Sequence, residues 1–405
     1  MIPVEEAQDR ITAGLEAVAP EVVPLAAAAG RVLAEDISAR RTQPPMDVSA
    51  MDGYAVRSAD VATVPAKLKV IGEAPAGGAF EGVVGEDQAV RIFTGGPVPK
   101  GADAIVIQED VDTLEDGLIA VRESSPRGKH IRLAGIDFKE GEIGVRKGHP
   151  LSPRDVALAA AMNVPWVKVH RRPRIALLAT GDELVQPGET IGPNQIISSN
   201  STGLAAMIER NGGLPIDLGI AKDDADSLRT MVAGALGSDL LITIGGASVG
   251  ERDLVRSVLG EEGLTIDFWK IAMRPGKPLI FGQIGDTPMI GLPGNPVSAL
   301  ICAVVFVIPA LLKLSGRVVN RRPFVTARLG RDVPENDRRQ EYLRASLERD
   351  DHGQLVAMPF DRQDSSVLSG FTRADCLVIR KPFAAAAKAG EMTPILPLEF
   401  GQIQV

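Results

Sequence analysis

Residues 174–183 read Arg-Ile-Ala-Leu-Leu-Ala-Thr-Gly-Asp-Glu, and this stretch decides the fold of the chain. Its unbroken apolar run over residues 175–179 is typical of a strand buried on both faces, as the strands of parallel sheets are. A second run of this kind occupies residues 240–244 and is followed by two glycines. Between the two runs, the pattern predicts a helix at residues 201–211, a strand at 214–220 and a second helix at 223–236. This alternation predicts a central α/β domain with a doubly wound, mostly parallel sheet, which we place at residues 172–321.

The region before this domain is interpreted as two interleaved units. Glycine and proline separate short β-type runs over residues 43–138, which predicts an inserted all-β domain. The flanking segments, 1–42 and 139–171, are predicted to be helical, with one helix at about residues 25–37 and another opened by the capping box Ser152-Pro-Arg-Asp155. We expect the two flanking segments to form one elongated helical linker domain.

The region after the α/β domain, residues 322–405, returns to β patterning. Two predicted strands are joined by Asp-Asp-His-Gly at residues 350–353, which is a hairpin signal. We expect this segment to form a small C-terminal β-barrel, with a sandwich as the alternative.

Composition excludes several classes of function. The chain has 405 residues, 44 Lys and Arg against 52 Asp and Glu, and a formal net charge of −8. It lacks the basic character of a phosphate-backbone binder, so we do not expect a nucleic-acid partner. Two separate cysteines and four histidines provide no disulfide framework and no zinc finger. The acidic N-terminal sequence has no apolar signal core, so we expect a cytoplasmic protein.

One segment, residues 297–314, is nearly all apolar and about as long as a membrane span. Pro309 interrupts it, and it follows a turn that looks functional. We therefore interpret it as a buried core helix and expect no membrane association.

Acidic residues follow three predicted strands of the α/β domain. They are Asp182 and Glu183, Asp223 and Asp224, and Glu251 and Asp253. Ligands of open parallel sheets bind at the carboxyl ends of the strands. The preference of Asp and Glu for loops and helix starts explains about half of these positions.

Two turns at the same edge are typical of anion binding. Gly-Gly-Ala-Ser-Val-Gly at residues 245–250 can present backbone N–H groups with little side-chain obstruction. The turn at residues 294–298 begins a helix with Asn295 as the cap and Pro296 at the first position, which predicts free N–H donors at the positive end of the helix dipole.

A divalent cation accounts for carboxylates beside anion-binding turns, because clustered like charges otherwise raise each other's pKa values. Mg²⁺ binds one or two carboxylates together with substrate phosphate and water. The sequence therefore predicts a Mg²⁺-dependent site for a phosphorylated ligand. Arg274 and Lys277 flank a Pro-Gly turn and could direct two positive charges at one oxyanion. Taken alone, the same two residues could equally be solvated surface cations.

Two motifs of the inserted domain are ambiguous by themselves. Ser-Ala-Met-Asp-Gly-Tyr at residues 49–54 contains an Asp-Gly turn, and Arg-Ile-Phe-Thr-Gly-Gly-Pro at residues 91–97 is a strand entering a turn. Each favours a structural role about two to one when considered alone.

Six motifs in order give the chain a specific resemblance. They are Ser-Ala-Met-Asp-Gly-Tyr-Ala-Val-Arg (49–57), Thr-Gly-Gly-Pro-Val-Pro (94–99), Thr-Gly-Asp-Glu-Leu (180–184), Gly-Gly-Ala-Ser-Val-Gly (245–250), Arg-Pro-Gly-Lys-Pro (274–278) and Gly-Leu-Pro-Gly-Asn-Pro-Val-Ser (291–298). Together they resemble the molybdopterin molybdenumtransferase family, MoeA, which also occurs as the C-terminal domain of gephyrin. The similarity extends over nearly the whole chain.

The resemblance implies an L-shaped subunit of four domains and a homodimer. It implies an active-site cleft between the α/β domain of one subunit and the inserted domain of the other. The implied reaction is Mg²⁺-dependent cleavage of adenylylated molybdopterin, with insertion of molybdate into the dithiolene and release of AMP. The substrates would be molybdate and the adenylylated pterin.

The resemblance also implies roles for individual residues. From the inserted domain, Asp52 and Thr94 would reach the cleft. The ligands of Mg²⁺ and of the departing AMP would be Glu183, Asp223 and Asp253. Molybdate or phosphate would be held by Arg274 and Lys277. The pterin phosphate would be cradled by two turns, represented by Gly245, Gly246, Ser248, Gly250, Pro293, Asn295, Pro296 and Ser298. Arg344 and Ser365 are further candidate contacts on weaker local similarity.

Some positions depart from the family pattern. Asp137 matches a site aspartate that a glutamate often precedes in the family, whereas Ile136 precedes it here, so a carboxylate pair is in question. Arg274 stands where lysine is frequent, and an aromatic residue common near residues 197–200 is absent. Two alternatives stay open from the sequence: a gephyrin-like scaffold that binds a peptide, and a tungstate-inserting enzyme of the same fold.

Overall fold

The computed structural model describes residues 1–246, 258, 260, 263–318 and 325–398. The central sheet has six strands, which are in spatial order Leu214–Ala221, Arg174–Thr180, Leu240–Ile244, Thr287–Leu292, Pro278–Ile284 and Leu264–Lys270. The first four are mutually parallel, and the last two form an antiparallel edge. The three predicted strands and the mostly parallel sheet are confirmed. The antiparallel edge was not predicted.

Helices cover both faces of this sheet, as expected for a doubly wound fold. The helices Asn200–Arg210 and Ala225–Ala233 confirm the two predicted ones and lie on opposite faces, with Leu204 and Ile208 in one core and Leu228 and Val232 in the other. Continuous apolar strands are required here because each face of the sheet is covered.

The apolar segment 297–314 is a core helix. It runs from Pro296 to Leu314 and is the one helix in the described ranges long and apolar enough to cross a membrane. Its apolar window is 78% buried inside the protein, against the central sheet. A π-helical turn, Ala303–Val307, separates two α-helical segments just before Pro309. A proline inside a helix removes one hydrogen bond and clashes with the preceding turn, and a local π-turn accommodates it.

The N-terminal helix, Val4–Ala13, packs on the α/β domain rather than on the linker segments. Val4, Ala7 and Ile11 are buried in the same core as the sheet strand Arg174–Thr180. The spacing of these three residues gives the helix one apolar face, and the α/β domain supplies the surface that covers it.

The helix expected at residues 25–37 is wrong. The structure instead has the strand Pro20–Pro24 and a single 3₁₀ turn, Leu25–Ala27. Gly30 has φ +77°, which ends any right-handed helix at that position. The strand pairs antiparallel with Trp166–His170.

The two linker segments share one hydrophobic core. Residues from 23–39 and from 138–169 pack together in it, and the helix Pro153–Ala161 begins at the predicted capping box. The short strands Ile37–Ser38 and Ile143–Val145 also pair across the insertion. This shared core supports the proposed division of the chain into domains, which we keep as a proposal.

The inserted region forms a six-stranded mixed sheet. Its strands are in spatial order Ala104–Ile107, Gly53–Val56, Gln88–Ile92, Ala66–Ala74, Leu118–Val121 and Val111–Thr113. The short pair Val48–Ser49 and Ile131–Arg132 lies beside it, and 3₁₀ turns occur at Ser58–Val61, Gln108–Asp110 and Glu115–Gly117. Buried residues on both faces of this sheet give the region its own core.

The C-terminal region is a closed barrel of five strands, as predicted. They are Val325–Leu329, Gln340–Arg349, Leu355–Pro359, Cys376–Arg380 and Met392–Pro397. The predicted hairpin joins the second and third strands, and the short helix Leu368–Phe371 precedes the fourth. A two-residue strand of the α/β domain, Met273–Arg274, pairs in parallel with the barrel strand Gln340–Arg349. Another short pair, Leu184–Val185 with Ile196–Ile197, lies at the edge of the α/β domain.

The capping box gives a test of local stability. The Ser152 Oγ accepts a hydrogen bond from the Asp155 N–H, and the Asp155 carboxylate accepts one from the Ser152 N–H. Ser152→Ala should therefore lower the free energy of unfolding by about 1 kcal/mol. Urea unfolding followed by circular dichroism measures this change. Ser124→Ala, at an exposed serine, is the matched control, and equal effects of the two substitutions would contradict the capping role.

Candidate active site

Two of the predicted acidic clusters meet at the carboxyl edge of the central sheet. The parallel register places Thr180 beside Ala221, so the residues that follow these two strands are neighbours. The Asp223 N–H donates to the Asp182 Oδ1 at 3.0 Å. The pKa of Asp223 is raised by burial and by the negative charges of Asp182 and Glu183. These three carboxylates therefore form a region of concentrated negative charge.

This edge is incomplete as a metal site in the described residues. Within that part of the chain, no three His, Cys, Asp or Glu side chains lie close enough together to hold a metal ion. Glu183 and Asp223, two predicted ligands, are close together. The third, Asp253, lies outside the described residues together with Glu251.

The first glycine turn begins next to these carboxylates. Gly245 follows the strand Leu240–Ile244 with φ +90°, and a Cβ at this position would lie 2.7 Å from the Thr180 carbonyl oxygen. Only glycine permits this approach of two strand ends. Gly246 also has positive φ, whereas Ser248 and Gly250 lie outside the described residues. The buried Thr180 and Thr243 hydroxyls, near this turn, have no hydrogen-bond partner in the described structure.

The second turn, at residues 294–298, is covered by a loop of the barrel domain. Asn295 stands at the N-cap position of the helix that begins at Pro296, but its side chain makes no capping hydrogen bond, and its Nδ2 donates to the Ser365 Oγ at 3.0 Å. The Val297 N–H donates to the Ser365 carbonyl oxygen at 3.1 Å. The prediction of free N–H donors at this helix start is therefore wrong for Val297, because a barrel loop covers it. Pro293, just before the turn, is buried.

A pocket of about 580 Å³ lies where the α/β domain meets the barrel. The structure brings five predicted site residues together in its lining: Arg274, Lys277, Ser298, Arg344 and Ser365. Four basic and two acidic side chains line the pocket, so it is net positive and suited to an anion.

The basic residues of the pocket differ in whether their charges are paired with carboxylates. Arg274 forms ion pairs with Glu341 and Asp337, and Arg339 pairs with Asp337. Lys277 makes no ion pair or hydrogen bond with its side chain in the described part of the chain. The Lys277 ammonium is therefore the positive charge most available to a ligand.

Arg344 is buried, with 1% of its surface exposed. Its guanidinium donates to the carbonyl oxygens of Arg362 and Val367 and to the Gln363 Oε1. Burial lowers its pKa, and the charge of Asp364 opposes this effect. These bonds hold the loop that carries Ser365, so Arg344 shapes the pocket and has few donors left for a ligand.

The inserted domain carries a second group of predicted residues. The Asp52 Oδ1 accepts hydrogen bonds from the Thr94 N–H at 2.7 Å and from the Thr94 hydroxyl at 2.8 Å. These two bonds, with the positive charge of Arg91, hold the pKa of Asp52 below its ordinary value. Asp52 is therefore an ionised carboxylate of fixed orientation at a half-exposed position.

Arg91, which the sequence analysis quoted without a role, orders this patch. Its guanidinium lies 5.0 Å from the Tyr54 ring centroid and 5.1 Å from the Phe93 ring centroid. It donates to the Gln108 Oε1 at 2.6 Å and to the Gly53 carbonyl oxygen at 3.3 Å. The antiparallel register places Arg91 opposite Tyr54, so the pairing of the two strands, rather than a local sequence pattern, creates this contact.

Asp137 makes no contact with these groups in the described part of the chain. It is exposed, and its N–H donates to the Gln43 carbonyl oxygen at the junction of the inserted domain and the linker. Its carboxylate makes no hydrogen bond in the described structure. Its assignment to the site stays a prediction.

The fold and these groups define a class: a multidomain α/β protein with an acidic edge on its central sheet and a net positive pocket where the α/β domain meets the barrel. Family models match three parts of the chain, described as the MoeA N-terminal region (domain I and II) at residues 2–163, a probable molybdopterin binding domain at 176–313 and the MoeA C-terminal region (domain IV) at 326–398. The chain is 35% identical over 379 residues to the molybdopterin molybdenumtransferase of Haemophilus influenzae, covering 93% of each chain. It is 38% identical over 336 residues to that of a Nostoc species, covering 81% of this chain and 77% of the relative.

A solved structure agrees with these matches. The molybdopterin biosynthesis MoeA protein of Pyrococcus horikoshii is 33% identical, with a TM-score of 0.85 and coverage of 99% of both chains. The chain belongs to the molybdopterin molybdenumtransferase (MoeA) family.

The Asp52–Thr94 pair gives a test of the patch on the inserted domain. Thr94→Val removes the hydroxyl donor and keeps the backbone donor, so the pKa of Asp52 should rise part of the way to its ordinary value of about 3.9. The hydrogen bonds favour the ionised carboxylate, and they are lost as the pH falls through the depressed pKa. Carbon-detected NMR titration of the Asp52 carboxyl measures the change. Thr113→Val, an exposed threonine of the same sheet, is the control, and an unchanged Asp52 titration in Thr94→Val would overturn this account.

Proposed function

We propose that this chain inserts molybdenum into adenylylated molybdopterin, with Mg²⁺-dependent release of AMP. The observation that carries the proposal is the juxtaposition of Asp182, Glu183 and Asp223 at one sheet edge, where burial and then the negative charges of Asp182 and Glu183 raise the pKa of Asp223. Family membership supports the transferase activity, since the two relatives named above are called molybdopterin molybdenumtransferases.

The donor set fits a hard divalent cation. Carboxylate oxygens are the ligands that Mg²⁺ prefers, and this ion commonly takes only one or two of them alongside phosphate and water. We assign Glu183 and Asp223 as ligands, with Asp253 as the third candidate from the sequence. When bound, the ion would neutralise the phosphate charges and polarise the bond to the departing AMP.

The chemistry has two balanced parts. Water adds across the phosphoanhydride, one P–O bond of its P–O–P bridge is broken, and AMP and the pterin phosphate separate. The two dithiolene thiols bind molybdenum, and one oxygen of molybdate leaves as water with their two protons.

The pocket residues bind and orient the anions. Lys277, which has no ion pair in the described structure, supplies a point charge to molybdate or phosphate. Ser298 and Ser365 offer hydroxyl groups in the same pocket. Donors of fixed position are worth most when the charge they stabilise develops during the reaction.

Asp52 and Thr94 are assigned to the site of a second subunit. They lie on an exposed part of the inserted domain, and large apolar side chains near them in the sequence and across the short strand pair are also exposed: Met46, Met51, Leu133 and Ile136. Exposed apolar groups of this kind are typical of a surface that binds another protein. We infer that this surface faces the α/β domain of the partner in a homodimer.

The acidic edge is tested by two isosteric substitutions. Glu183→Gln and Asp223→Asn should each lower kcat for AMP release by at least about 100-fold, because each removes a charge that holds the ion against the phosphates. Release of AMP from adenylylated molybdopterin with and without Mg²⁺ measures this effect. Asp226→Asn changes an exposed acid three residues away and should leave turnover unchanged. Full turnover in the first two variants, or in the wild type without Mg²⁺, would rule out the proposal.

The shared site is tested by mixing inactive subunits. Dimers reassembled from equal amounts of Asp52→Ala and Glu183→Ala chains should recover about a quarter of wild-type activity, because half of the dimers are mixed and each has one intact site. A mixture of Asp52→Ala with Thr94→Ala is the control and should recover none, since both changes fall in the same half-site. If the first mixture stays inactive while size-exclusion chromatography shows exchanged dimers, the site is contained within one subunit.

A further inference from the structure

Arg274 lies at the junction between the α/β domain and the barrel. Its short strand, Met273–Arg274, pairs in parallel with the barrel strand, with Arg274 opposite Glu341. The Gln340 N–H also donates to the Ala272 carbonyl oxygen at 2.8 Å. The backbone joins the two domains here by only a few hydrogen bonds, and apolar barrel residues such as Tyr342 and Ile379 also lie in the core of the α/β domain.

The Arg274 guanidinium points at the barrel. Its Nη2 is 2.5 Å from the Glu341 Oε1 and 3.4 Å from the Asn336 Oδ1, and its Nη1 is 3.6 Å from the Asp337 Oδ2. All three partners come from one six-residue stretch of the barrel, and the Glu341 side chain is only 16% exposed. A planar guanidinium can contact several acceptors at once, which an ammonium cannot do as well.

The acceptors are themselves fixed. Asn336 is buried, and its Nδ2 donates to the carbonyl oxygens of Arg339 and Lys381 at 2.7 and 2.8 Å. Asp337 also pairs with Arg339 at 2.7 Å, and hydrogen bonds from Arg339 lower the pKa of Asp337 to about 2. Asp337 therefore stays charged at neutral pH, and its fixed carboxylate helps to hold the Arg274 guanidinium in place.

The charges in the pocket are divided between two tasks. Arg274 and Arg339 are balanced by Glu341 and Asp337, so this four-residue group has no net charge to offer an anion. Lys277 lines the same pocket with no such partner in the described structure.

We propose that Arg274 is a positioning residue that fastens the barrel to the α/β domain, and that Lys277 alone of this pair binds the substrate anion. The inference rests on the proposed function for the identity of that anion as molybdate. It replaces the role that the resemblance implied for Arg274. By fixing the barrel, Arg274 sets where Ser365 and its loop stand relative to Lys277.

The test uses binding of molybdate, with inorganic phosphate as a second probe, to the full-length chain by calorimetry. Lys277→Met should weaken binding at least about tenfold, the loss of one charged contact. The direction in which Glu341→Gln changes the anion affinity separates the two roles of Arg274. If Arg274 were an anion ligand, removing its competing carboxylate would release the guanidinium and tighten binding, whereas a positioning role predicts equal or weaker binding.

Hydrogen exchange of the amides in residues 271–275 and 338–343 provides a second readout. Arg274→Lys and Glu341→Gln should each raise exchange in both segments several-fold, and the double variant should add little, because the two residues act as one unit. Asp332→Asn removes an exposed ion pair elsewhere on the barrel and should leave both segments unchanged.

Tighter anion binding in Glu341→Gln, or unchanged exchange in both single variants, would overturn the inference. Neither measurement uses turnover. A failed transferase assay would therefore rule out the proposed function without affecting the positioning role of Arg274. A failed binding or exchange test would rule out that positioning role without affecting the proposed function.

Discussion

The register of the strand Arg174–Thr180 with its two parallel neighbours is the constraint on which the site depends. This strand pairs with Leu214–Ala221 on one side and Leu240–Ile244 on the other, so three chain segments leave the sheet at one edge. The close contact of Gly245 with the Thr180 carbonyl fixes how near two of these exits are. Acidic residues that are far apart in sequence become neighbours because of this register. The fold therefore causes the repulsion between these carboxylates, and a bound cation would reduce it.

The second organising feature is the contact between the α/β domain and the barrel. The barrel supplies Ser365 and Glu341 to a pocket whose other wall is the loop around Lys277. The same barrel loop takes the Val297 N–H, which a helix start would otherwise offer to an anion. Docking of the barrel thus removes one recognition element and builds another. Because the charges are already arranged in the folded protein, the free energy of arranging them is supplied by folding and does not add to the barrier of the reaction.

Local sequence was a good guide where local physics decides. The capping box at Ser152, the hairpin at residues 350–353 and the buried strands were all recognised correctly, because turn chemistry and hydrophobic period act over a few residues. The helix expected at residues 25–37 failed because Gly30 has a positive φ and because Val32 and Leu33 form bridges to Pro150 and Val169, which are distant in sequence. Residues 91 and 341 were missed as functional candidates for the same reason. Their partners are brought to them by sheet pairing, which no local pattern records.

By itself, the sequence determined the α/β and β character of the domains, the family, and which side chains could do chemistry. These depend on composition, period and motif, which are properties of the chain read in order. Tertiary structure alone decided which charges are free. Arg274 and Lys277 stand three residues apart and look equivalent in sequence, yet the first is neutralised by carboxylates of another domain and the second has no such partner in the described structure. The energy of a charge depends on the distance to its neighbours in space, and only folding sets those distances.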